Sequence, residues 1–216
     1  MNTLVINFKT YKQGTGKVAL VLAKKIENIA KKFDSEVILC VQPTDIQMIA
    51  KTVTLPVFCQ HMDAITYGKN TGRILPEAIK EAGASGVLVN HSECPLDPEE
   101  IEDTVIVAKK LKLKTIVCCQ EIEEIEQIID TKPTFIAIEP PELIGRETSV
   151  SEENPELIDA AVHKVGKNLL VGAGIKNKED VQIAKEAGAA GVLVASHIVQ
   201  SKAPEKVIKE LLEGMF

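Results

Sequence analysis

A carboxylate at the end of a buried strand can abstract a proton if water is kept away from it, and residues 134–150, TFIAIEPPELIGRETSV, have the makings of both parts. The apolar run Phe135-Ile136-Ala137-Ile138 reads as a strand, and Glu139 stands where it ends. Pro140 and Pro141 stiffen the exit, because proline fixes φ and biases the residue before it away from helix. Leu143 and Ile144 then form a short apolar tip that turns at Gly145. A tip on stiff ends can swing as a unit over a pocket, and closing a pocket expels water. A single Glu-Pro pair is more often a solvated loop; the other candidate residues change that reading. Asn7 and Lys9 (NFK) lie two apart at another strand-like end, so both face one side of an extended chain. His91, Ser92 and Glu93 (NHSE) follow a third strand-like run, and Gly172-Ala173-Gly174 and Ala195-Ser196 follow two more. A carboxylate facing a carbon acid removes a proton α to a carbonyl, while a neutral imidazole and an ammonium stabilise the developing oxyanion. Turns of small residues let backbone N–H groups close around a phosphate. Together these groups suit the interconversion of an aldose and a ketose of a small phosphorylated sugar.

Positioning them requires strand ends that converge. Short β-branched runs alternate with helical patterns along the whole chain, giving eight strand–helix pairs. The expected strands are 3–8, 36–41, 57–60, 86–90, 114–118, 135–138, 169–172 and 191–195. The helix at 17–33 has Val18, Leu22, Ile26 and Ile29 on one face, and others are expected near 44–51, 76–83, 98–111 and 121–130. Asn154 with Pro155 opens a further helix, Asn177 another, and the last runs over 204–212. The segments KEAGASGVLV (80–89) and KEAGAAGVLV (185–194) differ at one position and lie 105 residues apart, close to half the chain. Each ends a helix at a glycine and enters a strand, and the copies fall on strands four and eight. A doubly wound open sheet gives no special reason for those two strands to be alike. A single-domain (β/α)8 barrel over residues 1–216 does, with its site at the C-terminal strand ends.

Composition narrows the partners. The chain has 216 residues, 45% of them hydrophobic but only 3% aromatic, so the core must be built from Val, Ile, Leu and Ala. The formal net charge is −6 and the lysines are scattered without a basic run, which argues against nucleic acid. No apolar window approaches membrane-spanning length and no signal-type segment opens the chain, so a cytoplasmic protein is expected. The five cysteines, Cys40, Cys59, Cys94, Cys118 and Cys119, have no CxxC spacing, and reduced thiols are expected. His61, His91, His163 and His197 are scattered, so neither a metal nor a cofactor is expected.

The motifs NFKTY (7–11), NHSE (90–93), IEPPELIG (138–145), GAGI (172–175) and LVAS (193–196) are together similar to triosephosphate isomerases of the short archaeal form. The resemblance runs from Val5 to the final helix. It implies Glu139 as the base, His91 as the neutral electrophile, Lys9 as the electrostatic partner of the oxyanion and Asn7 as a further donor. Glu93 would pair with Lys9 and orient it. Ile144, Gly145, Gly172, Gly174, Ala195 and Ser196 would hold the substrate phosphate through backbone N–H groups. The loop at 59–73 would plug into a neighbouring subunit, with Thr71 approaching the partner's site, which implies a homotetramer or a dimer. The chain departs from the family pattern at Arg146 and Glu147 in place of Thr-Gly, at His197 in place of glycine, and at Cys94 and Arg73, where an ion pair is common. Two other readings stay open: another phosphate-binding barrel enzyme, and a non-catalytic phosphate-ligand-binding barrel with a drifted lid.

Overall fold

The computed structural model describes residues 3–140 and 155–216. Its strands are β1 (Thr3–Asn7), β2 (Glu36–Val41), β3 (Val57–Cys59), β4 (Gly86–Val89), β5 (Lys114–Cys119), β6 (Phe135–Ile138), β7 (Leu169–Gly172) and β8 (Gly191–Val194). They are parallel and close in chain order, β1 pairing with both β2 and β8. The intervening helices are α1 (Gly16–Ala30), α2 (Ile46–Ala50), α3 (Pro76–Glu81), α4 (Pro98–Lys110), α5 (Ile122–Ile128), α6 (Pro155–Val165), α7 (Lys178–Glu186), α8 (Ser196–Val199) and α9 (Pro204–Gly214). This is the expected (β/α)8 barrel. No helix among the described residues is long and apolar enough to cross a membrane.

The repeated segments have the same local geometry for the same reason. Gly83 (φ 106°) and Gly188 (φ 99°) take left-handed backbone just past α3 and α7. Their N–H groups bond the carbonyls of Lys80 and Lys185, and the next residues, Ala84 and Ala189, reach back to Ile79 and Ala184, a Schellman ending in both copies. The chain then enters β4 or β8 through a glycine that has no room for a side chain. A Cβ on Gly191 would lie 1.8 Å from the Thr3 carbonyl oxygen, and one on Gly86 2.4 Å from the Phe58 ring.

Strand residues pointing inward fill the barrel, among them Val5, Ile38, Phe58, Leu88, Ile116, Phe135 and Leu170, with Cys40 and Cys118 in the same cluster. Residues pointing outward pack under the helices, so the strands are apolar on both faces, as parallel sheets require. Helix α1 differs in part from expectation. Leu22 and Ile26 are buried and Ile29 packs against the core, but Val18 is 51% exposed, because the buried face runs through Ala19, Ala23 and Ala30 instead. The helix stops at Ala30, short of Phe33, where Lys32 and Phe33 donate to carbonyls three residues back and tighten the last turn.

That helix also carries an acid-sensitive tie. Glu27 Oε1 accepts from the Thr54 N–H at 2.6 Å and its hydroxyl at 2.7 Å, and Oε2 lies 3.3 Å from Lys31 Nζ. The Thr54 N–H, opposed by burial and aided by the Thr54 hydroxyl and Lys31, holds this carboxyl below its ordinary range. A depressed folded-state pKa stabilises the fold above the unfolded-state value, and this contribution is lost as pH falls through the folded-state value. Glu27→Gln should therefore cost about 1 kcal/mol at pH 7, where charged acceptors outperform neutral ones, and nearly nothing once both side chains are neutral. Urea denaturation at neutral and acid pH checks this; a gap that does not shrink on acidification would refute it.

Candidate active site

Glu139 follows β6 and continues its ladder, its N–H donating to the Cys119 carbonyl at 2.8 Å. The side chain is buried, 5% exposed, because it folds back over the barrel mouth. Cys118, in the barrel interior, lies close enough for its thiol to feel this carboxylate, while Oε2 has no hydrogen-bond partner among the described residues. The space it occupies exists because β7 ends in glycine: a Cβ on Gly172 would lie 2.4 Å from Glu139 Cγ and 2.7 Å from Oε1. Burial and the neighbouring carboxylate push the Cys118 thiol well up, and burial, with Cys59 and Glu139, does the same to Cys40. Burial raises Cys59 to about 11 and, with Glu124 and Glu139, Cys119 to about 12. These thiols therefore stay protonated beneath the Glu139 carboxylate. All five cysteines are unpaired, and only Cys94 is exposed.

Across the mouth, Lys9 sits in a turn whose shape the side-chain spacing alone did not convey. Its φ of 46° is left-handed, so Asn7 and Lys9 are not neighbours on one side of an extended strand. They meet because Asn7 Oδ1 accepts from the Lys9 N–H at 3.0 Å. Gln60, just past β3, secures this turn with one amide nitrogen, which donates to Asn7 Oδ1, the Lys9 carbonyl and the Cys40 carbonyl at 3.0–3.2 Å. Asn7 Nδ2 is left without a protein partner among the described residues and is available as a donor. The Lys9 ammonium meets Glu93 Oε1 at 2.8 Å, as expected.

His91 follows Asn90, whose φ of 57° ends β4. Asn90 ties that turn at both ends, donating to the Cys118 carbonyl at 2.9 Å and accepting from the Leu96 N–H at 2.9 Å. The Glu93 N–H donates to His91 Nδ1 at 3.1 Å. A nitrogen that accepts from an N–H carries no proton, so the ring proton is on Nε2 and the imidazole is neutral. Glu93 Oε2 is also 3.9 Å from Nδ1, but with Nδ1 acting as acceptor this is proximity without an ion pair.

Lys9, His91 and Glu139 line one cleft of about 240 Å³ together with Ala173, Gly174, Ala195 and Ser196. Ala173 (φ 85°) and Gly174 (φ 74°) are both left-handed, so β7 leads into a tight turn at the cleft wall. Asn177 then caps α7, its Oδ1 accepting from the Asp180 N–H at 2.9 Å while Asp180 accepts from the Lys176 and Asn177 N–H groups. Gly172 is not part of that lining; it lies against Glu139. Ile144 and Gly145, like Arg146 and Glu147, fall outside the described residues. Tyr11, Lys176 and His197 also line the cleft. Gln60 and Asn90 had no assigned role in the sequence. The only local hint of one is their place at strand ends.

The loop after β3 is closed at its root by Asp63, which accepts from Arg73 Nη1 at 2.9 Å and the Ile74 N–H at 2.5 Å. Arg73 thus has a partner within its own loop. Tyr67 projects from the tip, 71% exposed.

Comparison with known proteins identifies the family. The family model described as triosephosphate isomerase matches residues 2–211. A triosephosphate isomerase of Saccharolobus solfataricus is 44% identical over 213 residues, covering 97% of this chain and 94% of that protein. One from Methanocaldococcus jannaschii is 41% identical over 215 residues, covering 97% and 98%. The crystal structure of triosephosphate isomerase from Bartonella henselae superposes with a TM-score of 0.75 over 99% of this chain and 97% of that one, at 20% identity, a likeness of fold alone. With a full-length family match and relatives above 40% identity behind a closed eight-stranded barrel, the chain belongs to the triosephosphate isomerase family.

Proposed function

We propose that this chain interconverts glyceraldehyde 3-phosphate and dihydroxyacetone phosphate through an enediolate, in glycolysis and gluconeogenesis, in the cytoplasm. The observation that carries this reading is the buried Glu139 carboxylate, whose Oε2 has no hydrogen-bond partner among the described residues, facing the same cleft as a neutral His91 and the Lys9 ammonium. Glu139 takes the proton from the carbon α to the carbonyl. The His91 Nε2–H and the Lys9 ammonium, with the Asn7 amide as a further donor, stabilise the oxyanion that forms. Glu139 then returns the proton to the neighbouring carbon while the substrate's hydroxyl proton passes to the former carbonyl oxygen by way of His91 Nε2, so no proton is gained or lost overall. Glu93 holds Lys9 in place, and backbone N–H groups of Gly172, Gly174, Ala195 and Ser196, with Ile144 and Gly145 from the segment after β6, bind the phosphate. Neutral His91 suits this role because it gives a proton to the developing oxyanion without attracting the substrate dianion into a tighter ground state. A coupled assay supplying glyceraldehyde 3-phosphate tests the reading, and purified protein without turnover above background would overturn it.

The active form is a homotetramer, in which the loop at 59–73 seats in a neighbouring subunit and Thr71 supports that subunit's site. The exposed Tyr67 on a loop tied at its root supports this. On dilution below the subunit dissociation constant, specific activity should fall with the oligomer in parallel. Sedimentation run beside the assay checks it; a fully active monomer would refute it.

A further inference from the structure

We propose that the side chains of Lys176 and His197 are ligands of the substrate phosphate, which rests on the isomerase reading that seats this group at the turns after β7 and β8. They add a full charge and a further donor to a seat otherwise made of backbone N–H groups. Both residues line the cleft that holds Lys9, His91 and Glu139, and they enter it from different elements, Lys176 from the turn after β7 and His197 from α8. The cleft must admit substrate in any assembly of subunits, so both side chains stay within its reach there.

The Lys176 backbone is fixed while its ammonium is left uncommitted. Ala173 and Gly174 turn the chain with left-handed backbone, φ 85° and 74°. Two residues on, the Lys176 N–H donates to Asp180 Oδ2 at 2.9 Å and the Asn177 N–H to the same oxygen at 3.2 Å, which pins the main chain at the root of α7. The half-buried side chain has no ion-pair partner among the described residues. Lys9, the other lysine lining the cleft, is already held at 2.8 Å by Glu93. Lys176 is thus the ammonium with charge to spare for an anion.

His197 is placed by the packing of its own short helix. Ile198 and Val199 are buried, and their N–H groups both donate to the Ala195 carbonyl, at 3.2 and 3.0 Å, so Ser196 and His197 are held at the cleft. Where the family pattern has glycine, this chain presents an imidazole. An imidazole carries an N–H donor in either protonation state, so its contribution does not require a charge. A phosphate monoester near neutral pH bears close to two negative charges and three strong acceptor oxygens. Backbone N–H groups answer the oxygens with partial charges alone, whereas a lysine ammonium meets the phosphate as a point charge. Contacts to a group remote from the reacting carbons are made equally in the ground and transition states, so they lower KM more than they raise kcat.

Titration calorimetry of the native, assembled protein with inorganic phosphate and with 2-phosphoglycolate tests this without turnover. Inorganic phosphate has no carboxylate for His91 and Lys9 to hold, so it reports the phosphate end alone. Lys176→Met should raise Kd for both about tenfold, the scale of one charge-assisted contact. It should also flatten the dependence of Kd on salt, which loss of a merely structural contact would not do. Lys176→Arg should keep both properties close to native. His197→Leu should raise Kd about threefold, and His197→Gln, which retains an N–H donor, should recover most of that loss. In the isomerase assay KM should rise with Kd in Lys176→Met and His197→Leu, with kcat changing far less. Native affinity in Lys176→Met or His197→Leu, an unchanged salt dependence in Lys176→Met, or a loss carried by kcat instead of KM would each overturn the proposal. Native affinity in both variants alongside normal turnover removes this proposal alone. Phosphate binding that weakens as expected in a protein without turnover leaves it standing and removes the isomerase reading.

Discussion

Glu139→Asp is expected to cut turnover about a hundredfold while leaving the affinity for 2-phosphoglycolate within a few-fold of wild type, since misplacing a reacting group by about 1 Å costs roughly that much. The expectation comes from how the carboxylate is housed. Its backbone is fixed by the 2.8 Å bond from Glu139 N–H to Cys119, its Cγ rests where a side chain on β7 would otherwise be, 2.4 Å from the absent Gly172 Cβ, and it is buried. Aspartate keeps the charge and the backbone but withdraws the oxygens by one carbon–carbon bond, about 1.5 Å. Nothing in the fold moves to meet it. Calorimetric titration with 2-phosphoglycolate and steady-state rates separate the outcomes. Unchanged turnover would remove Glu139 from the role of base, and lost analogue binding would show that the residue holds the ligand as well.

Much of this site can be read in the sequence because its parts lie at strand ends, and strand ends are local. Glu139 stands out as a charge closing an apolar run before two prolines, and the paired KEAG segments repeat because two glycines must take the same left-handed turn. What could not be read is what long-range hydrogen bonds decide. Gln60 joins Asn7, Lys9 and Cys40 across separations of 53, 51 and 20 residues, and no pattern along the chain marks such a junction. The turn at Lys9 likewise depends on Asn7 Oδ1, so two-residue alternation gave the right partners for the wrong geometric reason. Val18 shows a related limit: a helical face can be drawn through several sets of apolar residues, and the fold buries the one that runs through Ala19, Ala23 and Ala30. Cys94 and Arg73 looked like two ends of a missing ion pair. In the fold each has a substitute, His61 and Asp63.

Gly172→Ala should fold normally and lose about two orders of magnitude in turnover. This change separates two roles that the sequence could not. If Gly172 serves only by offering its backbone N–H to the phosphate, alanine keeps that N–H and activity should be untouched. The structure gives the residue a second task. Its φ is not in the left-handed region, so the backbone accepts alanine without strain. The added Cβ would lie 2.4, 2.7 and 2.8 Å from Cγ, Oε1 and Cδ of Glu139, and these three are its nearest neighbours. The clash is with a side chain that borders an open cleft, so Glu139 yields and the barrel does not. A stability loss at the low end for overpacking, about 1 kcal/mol, follows. Turnover should drop by the roughly hundredfold that displacement of a reacting group costs, with the affinity for 2-phosphoglycolate falling far less than kcat. A combined Gly172→Ala, Glu139→Asp variant should be no slower than the worse single variant, because the shorter side chain relieves the clash that displaced the longer one. Full activity in Gly172→Ala would show that the base works from a position clear of β7, and rates that multiply in the double variant would show that the two residues act independently.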